Sequence, residues 1–263
     1  MAHAYEHIEL CIGPDTPIAR LALNRPERRN ALSLAVMREM LDALDRVGRD
    51  TTARGLVIEG RGPVFSAGHD LSEIVDHRDR EFYEELFSTC VEMMLRLHEL
   101  PQPVIAKVHG VATAAGCQLV AACDLAVAAD DTRFATPGVN IGLFCTTPMV
   151  PVYRAVGPKR ALEMLFTGEM IDAPTAASWG LVNRVVPVAD LETEVAALAN
   201  RIATASADVV ALGKRAFYAQ AGGAEADAYG IACPVMVDNA QTDDAHEGMR
   251  AFLEKRAPRW PNQ

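Results

Sequence analysis

Residues 103–129, PVIAKVHGVATAAGCQLVAACDLAVAA, contain the alternation that decides the fold. Apolar runs at both ends, 103–110 and 124–129, have the length and composition of buried strands. The segment between them begins with three small residues, 114–116, which let a ligand approach the backbone closely. A helix that starts near Ala115 would direct its free N–H groups at such a ligand. The stretch therefore predicts a strand–turn–helix–strand unit with a binding site in its turn.

The same alternation extends towards the amino terminus. IARLALN at 18–24 and GLVIEG at 55–60 are short apolar runs bounded by turn-forming residues, as expected of buried strands. Ser33 has the character of an N-cap for a following amphipathic helix, and 80–99 predicts a second helix. Strands that alternate with helices need crossover connections. The pattern therefore predicts an α/β fold with a largely parallel sheet covered by helices.

After about residue 147 helical patterns replace the strand patterns. Thr147 followed by Pro148 is typical of an N-cap and the first residue of a helix, and Gly180 of a helix end. We predict an α/β core over 1–195 and a helical C-terminal region over 196–263. The long apolar faces of that region are expected to pack on another copy of the chain.

The composition narrows the function classes. Half of the 263 residues are hydrophobic, which suits a soluble protein with a sizeable core. A net charge of −10 argues against a nucleic-acid or anionic-membrane partner, because phosphate binding needs a clustered positive field. With no apolar run of about 18 residues and no targeting pattern, we expect a cytoplasmic protein. Six scattered cysteines without a C-x-x-C pair predict reduced thiols and no metal site.

A second turn, in GPVFSAGHDLSE at 62–73, also follows a predicted strand. Asp70 and Glu73 fit a capping box, so a helix is expected to begin after them. Turns at the carboxyl ends of neighbouring strands are where open α/β folds bind ligands, and two N–H groups there can stabilise an oxyanion. Close packing alone is the alternative reading of such small-residue turns. His69 could act as a base, bond to a substrate or only pack, and Ser66, His69 and Asp70 lie too close in sequence for a hydrolase relay.

Together these stretches resemble the crotonase, or enoyl-CoA hydratase/isomerase, superfamily. The resemblance runs through LNRPERRNALS at 23–33, FSAGHDLSEI at 65–74, the stretches 103–143 and 154–187, and EGMRAFLEKR at 247–256. The motifs SAGHDL, AAGCQLVA and FATPGVN are similar to those of the enoyl-CoA hydratase domain-containing proteins. The resemblance implies a spiral of repeated ββα units, a helical trimerisation region, and homotrimers or hexamers. It also implies acyl-CoA thioester substrates, fatty acid metabolism and no cofactor besides the coenzyme A of the substrate.

The resemblance assigns roles to particular residues. It places the oxyanion-hole N–H groups on Ala67 and Ala115, with Gln118 and His69 as candidate catalytic side chains. Substrate-binding positions fall on Arg28, Arg29, Ala31, Gly68, Asp70, Gly116, Gly138, Phe252 and Lys255, the last two from a neighbouring subunit. The basic residues among them would contact CoA phosphates, although solvated charges are an equal alternative.

This sequence departs from the family at both catalytic glutamates, because Gln118 and Gly138 stand in their places. A lost general acid–base group costs about 10²–10⁴-fold in rate, so weak hydration of 2-enoyl-CoAs is expected. Restoring both carboxylates, by Gln118→Glu with Gly138→Glu, is expected to raise it. The resemblance implies a lyase of the hydratase/isomerase class. A non-catalytic acyl-CoA-binding pseudoenzyme and a thioesterase-like hydrolase remain the alternatives.

Overall fold

The computed structural model describes residues 5–13 and 16–260. Residues 1–4 of the predicted core and residues 261–263 of the predicted C-terminal region therefore lie outside it. The strands in this range are β1 Ile8–Gly13, β2 Thr16–Leu23, β3 Gly55–Gly60, β4 Val104–Val108, β5 Val111–Thr113, β6 Leu125–Ala129, β7 Arg133–Ala135, β8 Ile171–Asp172 and β9 Arg184–Val186. The α-helices are α1 Leu34–Arg49, α2 Leu71–Asp76, α3 Arg80–Glu99, α4 Ala115–Ala122, α5 Met149–Val156, α6 Pro158–Thr167, α7 Ala173–Trp179, α8 Leu191–Ala203, α9 Ala207–Gln220, α10 Glu225–Ala240 and α11 Asp243–Leu253.

The larger sheet confirms the predicted parallel arrangement. Its strand order is β1-β2-β3-β4-β6-β9, with only β1 antiparallel to its neighbour. The four strands predicted from apolar runs are β2, β3, β4 and β6, and they lie side by side. Strand β9 was not predicted because its three residues, followed by Pro187, are too short to show a pattern.

A smaller sheet lies along the carboxyl ends of these strands. It has the order β5-β7-β8, and an isolated parallel bridge joins Ser66 to Ala112 of β5. The chain thus passes repeatedly from the larger sheet to the smaller sheet and then into a helix, as in β4, β5 and α4. This repetition agrees with the expected ββα units. It brings the turns after β3 and β5 to the same edge.

Helices cover both faces of the larger sheet. Helices α1, α3 and α4 pack with one face in the main core, and β3 is buried along its whole length. On the opposite face, Leu191 and Val195 of α8 pack against Val57 and Val127. The predicted boundary after residue 195 therefore falls inside α8, a helix that packs on the core sheet.

Helix ends follow the predicted signals in part. Ser33 caps α1 through its hydroxyl, and Gly180 ends α7 in the left-handed conformation. Asp70 caps α2, but the predicted capping box does not form, because the Glu73 carboxylate accepts the Leu34 N–H instead. Helix α5 begins one residue later than predicted, after Pro148, without a side-chain cap.

The C-terminal third is helical, as predicted, and α10 has no buried residue although it is 16 residues long. Within residues 5–13 and 16–260 no single helix is both long and apolar enough to cross a bilayer. Helices α8 and α9 meet that composition test only as a pair bent by 101°. All six cysteines are free thiols, four of them buried.

Candidate active site

The two predicted turns pack directly against each other. A Cβ atom on Gly68 would lie 2.8 Å from the Ala114 Cβ and 3.0 Å from the Ala115 nitrogen. A Cβ on Gly116 would lie 2.3 Å from the Ser66 carbonyl oxygen. Both glycines are therefore required by close backbone approach, and the carboxyl-end location predicted from the sequence is confirmed.

The main-chain hydrogen bonds correct one predicted donor. The Ala67 N–H donates to the Arg29 carbonyl oxygen at 3.0 Å, so it is not available to a ligand. In the described part of the chain, the N–H groups of His69 and Ala115 donate to no protein acceptor. The available pair is thus His69 with Ala115, in place of Ala67 with Ala115.

Backbone geometry explains why the donor shifts by two residues. Leu32 donates to the Gly68 carbonyl and accepts from the Asp70 N–H at 3.2 Å, which leaves the intervening His69 N–H outside this ladder. Gly68 has a φ of +92°, which interrupts the strand alternation between Ala67 and His69. Sequence patterns carry no signal for that reversal beyond the glycine itself.

The second donor lies at the first turn of α4. Ala114, the residue before that helix, has a φ of 50°, a conformation uncommon for a residue with a side chain. Its own N–H donates to the Ala135 carbonyl at 2.9 Å, which fixes the turn against the smaller sheet. No side chain caps α4, so the Ala115 N–H keeps its partial positive charge for a ligand.

Gln118 lies on the first turns of α4 and is 3% exposed. The Cys90 thiol of α3 donates to its amide oxygen over 3.9 Å. Burial raises the pKa of Cys90 to about 12, so this thiol stays protonated. The position that the resemblance gives to a carboxylate therefore holds a neutral amide beside a neutral thiol.

The His69 ring packs against an aromatic side chain and is largely buried. Its ring meets Phe87 of α3 edge-on, with 5.4 Å between centroids. Burial lowers the pKa of its imidazole to about 4, so the ring is neutral at pH 7. Of the three roles considered for His69, that of a base at neutral pH loses support, because the surroundings disfavour the charged form.

The side chains of the neighbouring Ser66 and Asp70 already make hydrogen bonds or ion pairs within the protein. The Ser66 hydroxyl donates to the Asn30 carbonyl oxygen at 2.8 Å. Asp70 accepts from the Ser72 hydroxyl and pairs with Arg25 at 3.4 Å. Burial raises the pKa of Asp70, but the hydrogen bond from Ser72 and the charge of Arg25 together lower that pKa by more. The net pKa is below its usual value, so the Asp70 carboxyl is ionised. Ser66, His69 and Asp70 form no nucleophilic relay, as expected.

Gly138 lies in a short 3-10 helix, Pro137–Ile141, at the edge of the site. A Cβ atom on it would lie 1.9 Å from the Leu143 carbonyl oxygen and 2.8 Å from the Cys145 Sγ. The Leu143 N–H in turn donates to the Gly138 carbonyl oxygen at 2.9 Å. The loop therefore fills the space that a side chain at this position needs. This packing counts against the expected gain in hydration from Gly138→Glu, because the new side chain has no space unless the loop moves.

The remaining predicted contact residues fall into two groups. Ala31 is buried, while Arg28 and Arg29 are exposed beside it, where a phosphate can reach them. Phe252 is 82% exposed on α11, and neither it nor exposed Lys255 bonds to these arginines within the described part of this chain.

Two further basic residues, near Arg28 and Lys255 in the sequence, are already paired within this chain. Arg25 bonds to Asp70 and Ser33, and Arg256 pairs with Glu247 and Glu254. In the described residues no group of three or more His, Cys, Asp or Glu side chains is placed to hold a metal ion.

Comparisons with known proteins identify the family and the fold of this chain. The model of the enoyl-CoA hydratase/isomerase family matches residues 15–263. The mouse (Mus musculus) enoyl-CoA hydratase domain-containing protein 3, mitochondrial, is 48% identical over 243 residues, covering 92% of this chain and 81% of the relative. The crystal structure of an enoyl-CoA hydratase from Mycobacterium smegmatis matches with a TM-score of 0.94 and 45% identity, covering 97% of this chain and 99% of that one.

The crystal structure of the human enoyl-CoA hydratase domain-containing protein 3 matches with a TM-score of 0.93 and 45% identity. It covers 97% of this chain and 100% of that one. The resemblance noted from SAGHDL, AAGCQLVA and FATPGVN is thereby confirmed. The chain belongs to the enoyl-CoA hydratase/isomerase family and has the α/β crotonase fold.

Proposed function

We propose that this protein binds acyl-CoA thioesters and polarises the thioester carbonyl between the backbone N–H groups of His69 and Ala115. The observation that carries the proposal is that these two donors, on turns that touch each other, have no acceptor among the residues that the structure describes. Two fixed N–H groups stabilise the negative charge of an enolate oxygen without any side chain.

The rest of the substrate fits the surrounding residues. Arg28 and Arg29 are exposed cations close to Ala31 and are proposed to hold the CoA phosphates. Gly68 and Gly116 let the thioester approach the backbone, and Asp70 fixes the start of α2. Coenzyme A enters as part of the substrate, and the chemistry proposed here uses no separate cofactor.

We place the protein in the hydratase/isomerase class as a lyase, with weak hydration activity. Gln118 transfers no proton, and the loop around Leu143 fills the position next to Gly138. Thioester hydrolysis loses support, because a pKa of about 4 leaves His69 a weak base. An acyl-CoA-binding protein without turnover is the second candidate, favoured by the closed loop at Gly138.

Calorimetric titration with crotonyl-CoA, beside a hydration assay that follows loss of the conjugated thioester, tests the proposal. We expect binding with slow hydration, at least about 100-fold below that of a family member with both glutamates. Binding with no measurable turnover would favour the second candidate. No binding to the folded protein would contradict the proposal.

The Gly116→Ala variant probes the geometry in the same titration, since its methyl group forces Ser66 and α4 apart. Gly213→Ala is the matched control, because a Cβ at Gly213 meets nothing within 4 Å. Loss of binding is expected in the first variant only.

Self-association as a homotrimer or hexamer completes the proposal. Helix α10 exposes Tyr229 and Met236, each 68% accessible, and Phe252 of α11 is 82% accessible. Large exposed apolar side chains such as these favour burial against a partner surface. A second copy of the chain would supply that surface, and it would also bring its own Lys255 to the site. Light scattering after size exclusion tests this, and a monomer would refute it. The mouse relative is named as mitochondrial, and a cytoplasmic location for this chain stays a proposal.

A further inference from the structure

The Ser66 hydroxyl joins two segments of the candidate site. Ser66 is completely buried, and its Oγ donates to the Asn30 carbonyl oxygen at 2.8 Å. The same Oγ accepts the Gly68 N–H at 3.3 Å. The hydroxyl therefore uses its one donor and an acceptor position inside the protein. It links the segment that carries the exposed arginines, 25–31, to the peptide that precedes His69.

The orientation of the His69 N–H depends on the conformation of Gly68. That N–H shares a planar peptide unit with the Gly68 carbonyl, which accepts the Leu32 N–H at 2.8 Å. The φ of Gly68 is +92°, and glycine has more backbone freedom than any other residue. The bond from the Gly68 N–H to Ser66 restrains the peptide unit on the other side of the glycine. These two bonds hold Gly68 in the conformation that leaves the His69 N–H free.

The main chain of Ser66 also reaches the second donor. Its carbonyl oxygen accepts the Thr113 N–H at 3.0 Å, two residues before Ala115. A Cβ atom on Gly116 would lie 2.3 Å from that same oxygen and 2.8 Å from the Ser66 Cβ. Ser66 therefore contacts both turns, and its position sets the distance between the N–H groups of His69 and Ala115.

Asn30 is the fixed end of this link. Its side chain is buried, and its Nδ2 donates to the carbonyl oxygens of Arg61 and Val64 at 2.9 and 2.8 Å. Its Oδ1 accepts the Arg25 N–H at 2.9 Å. The φ of Asn30 is 51°, in the left-handed region that asparagine enters more readily than most residues. Three side-chain bonds thus keep the Asn30 carbonyl oxygen in place for the Ser66 hydroxyl.

We infer that Ser66 is a positioning residue for recognition of the thioester oxygen. Its hydroxyl, anchored on Asn30, holds the His69 N–H where it and the Ala115 N–H can donate to one oxygen. This inference rests on the proposed acyl-CoA binding. Because the hydroxyl is buried and already bonded, it acts through Gly68 and not on the substrate. Donors stabilise a charge best when they need no reorganisation, so loss of the hydroxyl should weaken recognition of the carbonyl oxygen alone.

Calorimetric titration with butyryl-CoA and with S-butyl-CoA, the thioether that lacks only the carbonyl oxygen, tests the inference. We expect the wild-type protein to bind the thioester about tenfold more tightly, as one good hydrogen bond provides. In Ser66→Ala that ratio is expected to fall by about threefold or more, with the affinity for the thioether changed by less than about twofold. Asn30→Gly keeps the left-handed backbone accessible and removes the anchoring side chain, so the same fall is expected.

Two buried side chains outside the site provide matched controls. Ser206 is a buried serine at the start of α9, and its hydroxyl donates to Asp244 and accepts the Val209 N–H at 3.1 Å. Gln102, before β4, is a buried amide that donates to two main-chain carbonyl oxygens at the end of α1. Ser206→Ala and Gln102→Ala remove comparable bonds and should leave the tenfold ratio unchanged.

Each outcome of the titration decides a different point. A ratio that stays near tenfold in Ser66→Ala would overturn the inference while acyl-CoA binding stands. An equal loss of affinity for both ligands would overturn it too, because it would show a structural role alone. Equal affinities of the wild-type protein for the two ligands would contradict the proposed pair of donors, and binding of neither would remove the proposed function itself. If Asn30→Gly does not fold, Ser66→Ala decides, since it removes a single oxygen atom.

Discussion

Replacing Lys214 by methionine should loosen the attachment of the C-terminal helices to the core. Lys214 projects from α9, and its Nζ donates to the carbonyl oxygens of Leu97 and Gln102 at 2.7 and 2.9 Å. It also pairs with Asp124 at 2.6 Å, and the Lys214 side chain is only 6% exposed. One buried ammonium thus ties α9 to the end of α3 and to the segments before β4 and β6.

The expected cost follows from what the substitution leaves behind. Removing one partner of a buried ion pair costs about 3–5 kcal/mol, because the other charge stays buried without compensation. Asp124 keeps bonds from the Tyr218 hydroxyl at 2.7 Å and the Val104 N–H at 2.6 Å, which favours the lower end, about 3 kcal/mol. With an m-value of about 3 kcal/mol/M, the urea midpoint should fall by about 1 M.

Urea unfolding followed by far-UV circular dichroism at one protein concentration measures this loss. Lys159→Met is the matched control, because Lys159 is exposed on α6 and should change the midpoint little. In Asp124→Asn with Lys214→Met, the combined loss should be smaller than the sum of the single losses, since both remove the same pair. A loss below about 1 kcal/mol for Lys214→Met would refute this account of the cluster.

Three further outcomes are expected. Gly138→Ala should destabilise the protein by about 1–3 kcal/mol, because its methyl group overlaps with Leu143. Gly213→Ala should be neutral or stabilising. Equal urea midpoints for the two variants would count against the closed loop. Gln118→Glu with Gly138→Glu should give no more hydration of crotonyl-CoA than Gln118→Glu alone, because the second side chain has no room; a further rise of tenfold or more would show that the loop opens. Because the pKa of His69 is about 4 folded and near 6.5 unfolded, the unfolded state binds the extra proton between these values. The wild-type protein should therefore lose about 2 kcal/mol of stability from pH 7 to pH 5 that His69→Phe does not lose, and parallel pH profiles of unfolding would contradict this.

The larger sheet was predictable because most of its strands have a recognisable sequence pattern. Four of its strands are apolar runs of five to eight residues, a pattern that burial on both faces imposes. Strands β8 and β9 were not predicted, because segments of two or three residues are too short to show a periodic pattern. Their place is set by pairing with β7 and β6, which is a tertiary effect.

Within the site, the sequence located the turns but assigned one donor wrongly. Small residues at 67–68 and 114–116 predicted where the backbone comes close, and the structure confirms that approach. Which N–H remains free depends on a bond between Ala67 and Arg29, 38 residues apart, and on the positive φ of Gly68. Neither feature follows from the local sequence pattern, so the choice between Ala67 and His69 depends on tertiary structure.

The lowered pKa of His69 and the closed loop at Gly138 have a common consequence for the chemistry. A glutamate at position 118 or 138 would bring charge into the site, whereas Gln118 and His69 are neutral and Gly138 leaves no side chain. Uncharged surroundings strengthen the two backbone donors, because fixed dipoles act more strongly where water and counter-charges are excluded. The same residues that argue against efficient proton transfer therefore favour the proposed binding of a polarised thioester.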